Sequence, residues 1–347
     1  MKNPLLPALA AVIAIGALLS ACTLPTRQEP QPPMRSGHVV VLATGGTIAS
    51  THVDGAVIPT VSGPELVDAI RDRIGEKVKV EVQQVAELDS SAMTFKDTDT
   101  ILTAIGKALD RKDVDAVVVT HGTDSMEESA VAADAFLSDT RPVVFTGAMR
   151  AFDDEDPDGP ANLSDAINAS LDPANRGKGA FISFGGRLIP ARGAYKAHTT
   201  EADGFASNQP ADATRPDAVP YAPLAPIDVQ IISAFPGAPR TLIDAAISRG
   251  ARGLIIEGMG AGNVGEEMSQ AITDALDRDV AVVMSTRVPT GSVEGTYGGA
   301  GGGATLAARG VISSGWFRAP QARVLLAAAL ASHTDPAVLL ETAAPQM

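Results

Sequence analysis

Cysteine is nearly absent from this chain: Cys22 is the single one among 347 residues. One thiol cannot close an internal disulfide, so apolar burial rather than a cross-linked framework has to hold the fold. Aromatic residues make up only 4%, fewer than all-β folds use to pack their sheets. No run of lysine or arginine occurs, and the formal charge is −14. A polyanion needs a concentrated basic patch, so a nucleic-acid partner is excluded, while a small neutral or zwitterionic ligand is compatible. Long apolar stretches are also missing, apart from one at the start.

That stretch, residues 4–21, follows Lys2. It is short for a stable membrane span and has the layout of an export signal. It ends in Leu19-Ser20-Ala21-Cys22, which resembles a bacterial lipoprotein cleavage box, where the cysteine is acylated and becomes the new first residue. An ordinary cleaved signal or an uncleaved anchor are the plainer alternatives. Pro25, Pro30, Pro32 and Pro33 then sit among polar residues, a composition that favours an extended tether. The folded part is expected to begin near His38.

What the chain does have is a hydrophobic fraction of 45% with 33 glycines and 24 prolines, and a length that supports two cores and two domains. Short continuous apolar runs occur at Val39-Val40-Val41-Leu42, Val117-Val118-Val119, Val143-Val144-Phe145, Phe181-Ile182, Leu254-Ile255-Ile256 and Val280-Ala281-Val282-Val283. Such runs are typical of parallel strands buried on both faces. Helix-like segments lie between them, at 63–73, 97–109, 126–137, 162–169, 240–248 and 266–276. Alternating strand and helix predicts a parallel sheet with right-handed crossovers, whose ligands bind beyond the carboxyl ends of the strands. Periodicity lapses between Gly204 and Pro226, where five prolines interrupt it; a domain boundary is expected there.

Two strand ends carry polar chemistry. The first run enters Thr44-Gly45-Gly46-Thr47-Ile48-Ala49, where paired glycines allow a sharp turn and close approach of another molecule. Neither the dinucleotide fingerprint nor the phosphate-loop pattern is present, and a plain strand-to-helix turn is the bland reading. The run at Val117 enters Thr120-His121-Gly122-Thr123-Asp124-Ser125-Met126-Glu127-Glu128. Polar groups at the tip of an apolar strand cost solvation unless they are paired or working. Capping by Asp124 or Ser125, with Glu127 and Glu128 in the first helical turn, is the alternative.

Together these two segments, about eighty residues apart, resemble the paired signatures of the bacterial-type L-asparaginase family. The resemblance continues through Phe145-Thr146-Gly147-Ala148-Met149-Arg150, Asp158-Gly159-Pro160-Ala161-Asn162-Leu163, Thr286-Arg287-Val288-Pro289-Thr290-Gly291 and Ala322-Arg323-Val324-Leu325-Leu326. It implies an α/β protein with a larger N-terminal parallel-sheet domain (38–204) carrying the catalytic site. A linker (205–227) and a smaller flavodoxin-like C-terminal α/β domain (228–347) would follow, with a signal peptide (1–21) and tether (22–37) in front.

The resemblance also implies roles. Thr47 attacks the side-chain amide carbon of asparagine, giving an acyl-enzyme and ammonia, and water then releases aspartate. Thr123, Asp124 and Lys196 activate the hydroxyl, since a threonine is a poor nucleophile until something accepts its proton. Lys196 either moves that proton or acts as a charged clamp; most lysines are simply solvated. Ser90 and Ser91 grip the substrate's α-carboxylate and amine, against the plainer reading of a capped turn. Asp124 meets its ammonium, and peptide N–H groups near Thr123 or Ala148 supply the oxyanion site. Asn263 reaches a neighbouring subunit's active site, with Glu294 as that site's acidic contact, so a homo-oligomer, a dimer or tetramer, is expected. Neither metal nor organic cofactor is implied, and Cys22 would anchor the protein to a membrane.

The family pattern fails at one place. Relatives carry a tyrosine on a mobile flap soon after the nucleophile, and none occurs between Ser50 and Val61. Gly55 permits bending, and His52 reads as a solvated loop residue rather than a substitute. Ser125 and Ser129 stand where threonine is usual, retaining the hydroxyls. Residues 151–157 are strongly acidic and read as a solvated loop or a weak cation site. Two rivals follow: a dual glutaminase-asparaginase, decided by pocket shape, and an amino-acid-binding lipoprotein that has lost catalysis.

Overall fold

The computed structural model describes residues 35–340; the expected signal segment, Cys22 and most of the expected tether lie outside the described residues. In chain order, β1 (Gly37–Gly45) leads into a hairpin of β2 (Ser50–Val53) and β3 (Ala56–Pro59). Next come α1 (Gly63–Asp68), β4 (Val78–Leu88), α2 (Phe95–Leu109), β5 (Ala116–Thr120), α3 (Met126–Phe136) and β6 (Val143–Thr146). They are followed by α4 (Gly159–Ser170), β7 (Ala180–Phe184), β8 (Arg187–Pro190) and the short strands β9 (Ala194–Lys196) and β10 (Phe205–Ser207). The first helix is shorter than its periodicity suggests, ending at Asp68 ahead of a separate 3-10 turn at Arg71–Arg73.

The six-stranded sheet runs β4-β1-β5-β6-β7-β8 and is parallel except for β8. Its central strands read as unbroken apolar runs because both faces are covered. Val39, Val41, Val118 and Val144 point to the α1 and α4 side, among Leu66, Leu163 and Ile167. Val40, Val117, Val119 and Phe145 point to the α2 and α3 side, among Ile101, Leu102 and Val131. At the edge, β4 alternates Val with Lys, Glu and Gln and is only half buried.

The second half supplies β11 (Val229–Ser233), α5 (Thr241–Ser248), β12 (Gly253–Gly258), α6 (Glu266–Leu276), β13 (Ala281–Thr286), α7 (Gly303–Ala307), β14 (Ile312–Ser313), α8 (Ala319–Ser332) and α9 (Pro336–Leu339). Its four strands are parallel and lie in consecutive order. Helices α5 and α6 cover one face. The other face, through Val229, Ile255 and Val283, packs on α8, whose Val324, Leu325 and Leu326 also join the core that holds Val40 and Phe145. One continuous core therefore links the two sheets.

The proline-rich segment 205–227, expected to be a linker, is held at several points. Arg215 Nε donates to Asp134 Oδ1 at 2.9 Å, the Val219 N–H to Ala135 O at 2.9 Å, and the Leu224 and Ala225 N–H groups to the Asp99 carboxylate. Proline removes periodicity without removing anchorage, because side chains and carbonyls elsewhere satisfy the backbone.

Candidate active site

The order of the large sheet reverses at β1: the chain goes from β1 to β4 on one side, then to β5 on the other. The loops after β1 and β5 therefore diverge around a crevice at the carboxyl ends of the strands, where ligands of such sheets bind. Here the loops meet backbone to backbone. Gly46 has φ +85°, and a Cβ on it would fall 2.5 Å from the Gly122 nitrogen; a Cβ on Gly122 would fall 2.3 Å from Ser90 Oγ. Only glycine fits these two positions.

A cavity of about 420 Å³ opens over this junction, lined by Thr47, Ser90, Thr123, Asp124, Ala148 and Lys196 among others. Thr47 comes from the 3-10 turn after β1, Thr123 and Asp124 from the turn before α3, and Lys196 from the end of β9. Lys196 Nζ donates to Thr123 Oγ1 at 2.9 Å and to Asp124 Oδ1 at 2.7 Å. The pair is open on one side: the lysine side chain is 20% exposed and the aspartate 56%. That leaves the ammonium hydrogen-bonded yet within reach of a bound molecule.

The turn carrying Thr123 is fixed from below. His121 is fully buried, with Nδ1 2.7 Å from Gly122 O and Nε2 2.9 Å from Ser129 Oγ. Burial pushes its pKa down to about 4, so the ring is neutral: Nδ1–H donates to the carbonyl and Nε2 accepts the serine hydroxyl. Ser125 stands at the N-cap of α3 but makes no capping bond; its hydroxyl donates instead to Ser90 O at 2.7 Å. The Asp124 N–H donates to Ser90 Oγ at 3.2 Å. Capping therefore does not account for Asp124 or Ser125. Ser90 thus ties the turn after β4 to the turn before α3, while Ser91 turns its N–H and hydroxyl to Asp89 Oδ1, each at 2.9 Å, and does not line the cavity.

Opposite them, Asp158 accepts the Met149 and Arg150 N–H groups, and Asn162 Nδ2 donates to Gly147 O. These bonds hold the loop after β6 so that Ala148 faces the cavity. Among the described residues, neither the Thr123 nor the Ala148 N–H has a hydrogen-bond partner. Two unpartnered donors beside a polar cavity are what an oxyanion requires.

The segment in which a flap tyrosine was missing is a hairpin closed by Asp54 and Gly55, both at positive φ (51° and 83°). Its Val57, Ile58 and Pro59 line the cavity, and no tyrosine does so among the described residues. His52 is turned away, with its ring and main-chain nitrogens on the Asp153 carboxylate at about 3.0 Å. The acidic segment 151–157 has local partners: Asp154 accepts the Ala151 N–H and Asp156 pairs with Arg150. Among the described residues no cluster of three or more His, Cys, Asp or Glu side chains is placed to hold a metal ion.

Asn263 and Glu294 lie in the second half, outside the cavity lining. They share one loop cluster: Asn263 Oδ1 accepts the Gly303 N–H and the Glu294 N–H donates to Ala261 O. Sequence reasoning missed several residues here. Thr199 lines the cavity, and Glu127, with its carboxylate on the Lys196 main-chain N–H, is buried. A glutamate in a first helical turn reads as solvated, so the sequence carries no sign of that burial.

Comparison with known proteins identifies the family. Residues 38–218 match the family model described as "Asparaginase, N-terminal" and residues 228–341 match "Glutaminase/Asparaginase C-terminal domain". An L-asparaginase of Bacillus licheniformis is 31% identical over 86% of this chain and 96% of its own. A probable periplasmic L-asparaginase of Haemophilus influenzae is 29% identical over 87% and 91%. The crystal structure of a probable cytoplasmic L-asparaginase from Campylobacter jejuni superposes with a TM-score of 0.74 at 26% identity, over 88% of this chain and 98% of that one. With both family domains matched in order over nearly the whole described chain, and a relative 31% identical along its length, this chain belongs to the asparaginase family.

Proposed function

We propose that the protein hydrolyses L-asparagine to L-aspartate and ammonia, with Thr47 as nucleophile and Thr123, Asp124 and Lys196 as the group that manages its proton. The observation that carries this reading is the bridging ammonium of Lys196 on Thr123 Oγ1 and Asp124 Oδ1, in one cavity with Thr47. In the first step Thr47 Oγ bonds to the amide carbon, the C–N bond breaks, and the hydroxyl proton goes to the leaving nitrogen as ammonia. In the second, water adds to the ester, the Thr47–carbon bond breaks, and a proton returns to Thr47. Both steps place negative charge on the former amide oxygen, next to the unpartnered N–H groups of Thr123 and Ala148. Asp124, more than half exposed at the cavity, provides a carboxylate for the substrate ammonium.

A second reading, glutamine as an additional substrate, is favoured by the aliphatic hairpin wall. Val57 and Ile58 line the cavity, and an apolar wall discriminates one methylene only by about 10–200-fold. Asn263 and Glu294 would complete the site from a neighbouring subunit, which fits their placement together away from the cavity of their own chain. The leader and Cys22 support export and lipid anchoring; among the described residues no helix is long and apolar enough to cross a membrane. Replacing Cys22→Ala should move the protein from the membrane fraction to the soluble one.

Ammonia release from asparagine and glutamine in parallel tests the activity, using protein that starts at Thr23. Thr47→Ala and Thr123→Ala should each lower kcat on asparagine by about 10³-fold or more. A folded, oligomeric wild type that turns over neither amide would leave amino-acid binding as the function.

A further inference from the structure

Lys196 is held from beneath by groups that belong neither to its own strand nor to the cavity. Glu127, on the first turn of α3, is 8% exposed, and its Oε2 accepts the main-chain N–H of Lys196. The main-chain oxygen of Glu127 in turn accepts Gln321 Nε2 at 3.2 Å. Gln321, on α8 of the second half, is 1% exposed. It spends its whole amide on this junction: Nε2 also donates to Ala191 O at 2.7 Å, and Oε1 accepts the Gly193 N–H at 2.7 Å. The segment that ends in Lys196 is thus clamped at Ala191 and Gly193 by Gln321 and at Lys196 by Glu127. Gly193, at φ +80°, lies against Trp316, where a Cβ would come within 2.6 Å of the ring.

We propose that Glu127 is a positioning residue for Lys196, and that Gln321 makes the α8 helix of the second half part of the support of the active site. The inference rests on the reading that Lys196 works with Thr123. A buried carboxylate with one main-chain donor is an expensive way to stabilise a strand end, since an apolar residue would avoid its desolvation. Its effect here is geometric: it fixes the Lys196 backbone so that Nζ reaches Thr123 Oγ1 and Asp124 Oδ1 together. Displacement of about 1 Å in such a group costs roughly a hundredfold in rate. Desolvation pushes the Glu127 pKa up to about 7, against the lowering effect of the Lys196 N–H, with Glu128 raising it further and the Lys196 ammonium opposing; Arg323 faces Glu128 from α8. The carboxyl therefore accepts the N–H bond in either charge state near neutrality.

Two conservative variants separate reach from charge. Glu127→Gln keeps an acceptor oxygen at the same reach and should retain kcat on asparagine within about threefold. Glu127→Asp keeps the charge but draws the oxygen back by one methylene, and should lower kcat by about tenfold to a hundredfold with KM unchanged. Gln321→Met should act like Glu127→Asp. Lys196→Met serves as the reference: if it retained wild-type kcat, the role given to Lys196 would fail independently of Glu127. With Lys196→Met inactive, a Glu127→Gln variant as defective as Glu127→Asp, or a folded Glu127→Asp with wild-type kcat, overturns the proposal.

Discussion

Helix α3 and the segment from Arg192 to Lys196 meet twice, at opposite ends of the helix, and each meeting joins a cation to an aspartate. At the amino end Lys196 meets Asp124 at 2.7 Å with both side chains partly in solvent. At the carboxyl end Arg192 and Asp134 approach to 3.8 Å with side-chain exposures of 4% and 2%. The closed cluster spends its hydrogen bonds on the chain. Asp134 Oδ1 accepts the Ala180 N–H and Arg215 Nε, Arg215 reaches the carbonyls of Asp134 and Leu137, and Arg192 reaches Leu339 O while lying over the Phe317 ring. Burial lowers the Arg192 pKa, with Asp134 opposing. The open pair instead directs its donors at a hydroxyl and a cavity. The same pairing of charges gives anchorage where water is excluded and, where it is admitted, leaves a cation facing the cavity.

The sharpest break of this comparison is at the closed end. Asp134→Ala leaves Arg192 and Arg215 without their carboxylate and should cost about 3–5 kcal/mol of stability, read as a lower midpoint in denaturant. The fraction that remains folded should keep wild-type kcat. An unchanged midpoint would show that the cluster holds nothing. At the open end the expectation inverts: Lys196→Met should lower kcat by about 10²–10³-fold while shifting the unfolding midpoint by no more than an exposed substitution does, about 0.5 kcal/mol. A large stability loss there would make Lys196 a structural clamp.

How far this contrast could be read in advance differs from residue to residue. The strand-end positions of Thr47, Thr123 and Asp124 are legible because they follow unbroken apolar runs, while the roles given to them come from the resemblance to the family and not from those runs. The Val39, Val117 and Val143 strands were legible for the same reason. The Val78–Leu88 strand was not, because an edge position alternates Val with Lys, Glu and Gln and resembles a surface loop. The hairpin after Thr47 did carry a signal, Asp54-Gly55 between short β-branched runs, which is a two-residue turn that requires positive φ at both positions. The buried state of Glu127, Asp134 and Gln321 has no such mark, since their partners come from 46 or more residues away in sequence, as with Asp134 and Ala180 at 46 and Gln321 and Ala191 at 130.

Acid behaviour sharpens the comparison at the open end. His121 has its pKa lowered by burial from 6.5 to about 4, so between these values the unfolded chain binds the extra proton and stability falls as pH falls. Glu127 has its pKa raised by burial from 4.5 to about 7, so across that interval the folded chain binds the proton and stability falls as pH rises. Between about pH 4.5 and 6.5 the two slopes, each about 1.4 kcal/mol per pH unit, oppose one another. Glu127→Gln removes one and leaves the other. Relative to wild type, its unfolding free energy should therefore drop by roughly 1.4 kcal/mol for each unit of acidification across that window, measured by denaturant melts at fixed pH. Parallel curves for the two proteins would show that Glu127 titrates normally.

The smallest effect is expected at the hairpin, where the cavity wall is built from neither kind of pair. His52 and Asp153 are both well exposed, at 45% and 40% of their side chains, and such contacts are worth about 0–1 kcal/mol. The hairpin base is held as well by the Phe152 N–H on Ser50 O and by the His52 main-chain N–H on the same aspartate. His52→Ala should therefore leave the unfolding midpoint unchanged, while loosening the wall formed by Val57 and Ile58. A KM for asparagine raised by about two- to threefold at constant kcat is the expected result, because the wall encloses substrate but carries no group that exchanges a proton. A fall in kcat instead would mean that the hairpin, despite lacking a tyrosine, orients the Thr47 hydroxyl, and would move it from the wall of the cavity into the reacting group.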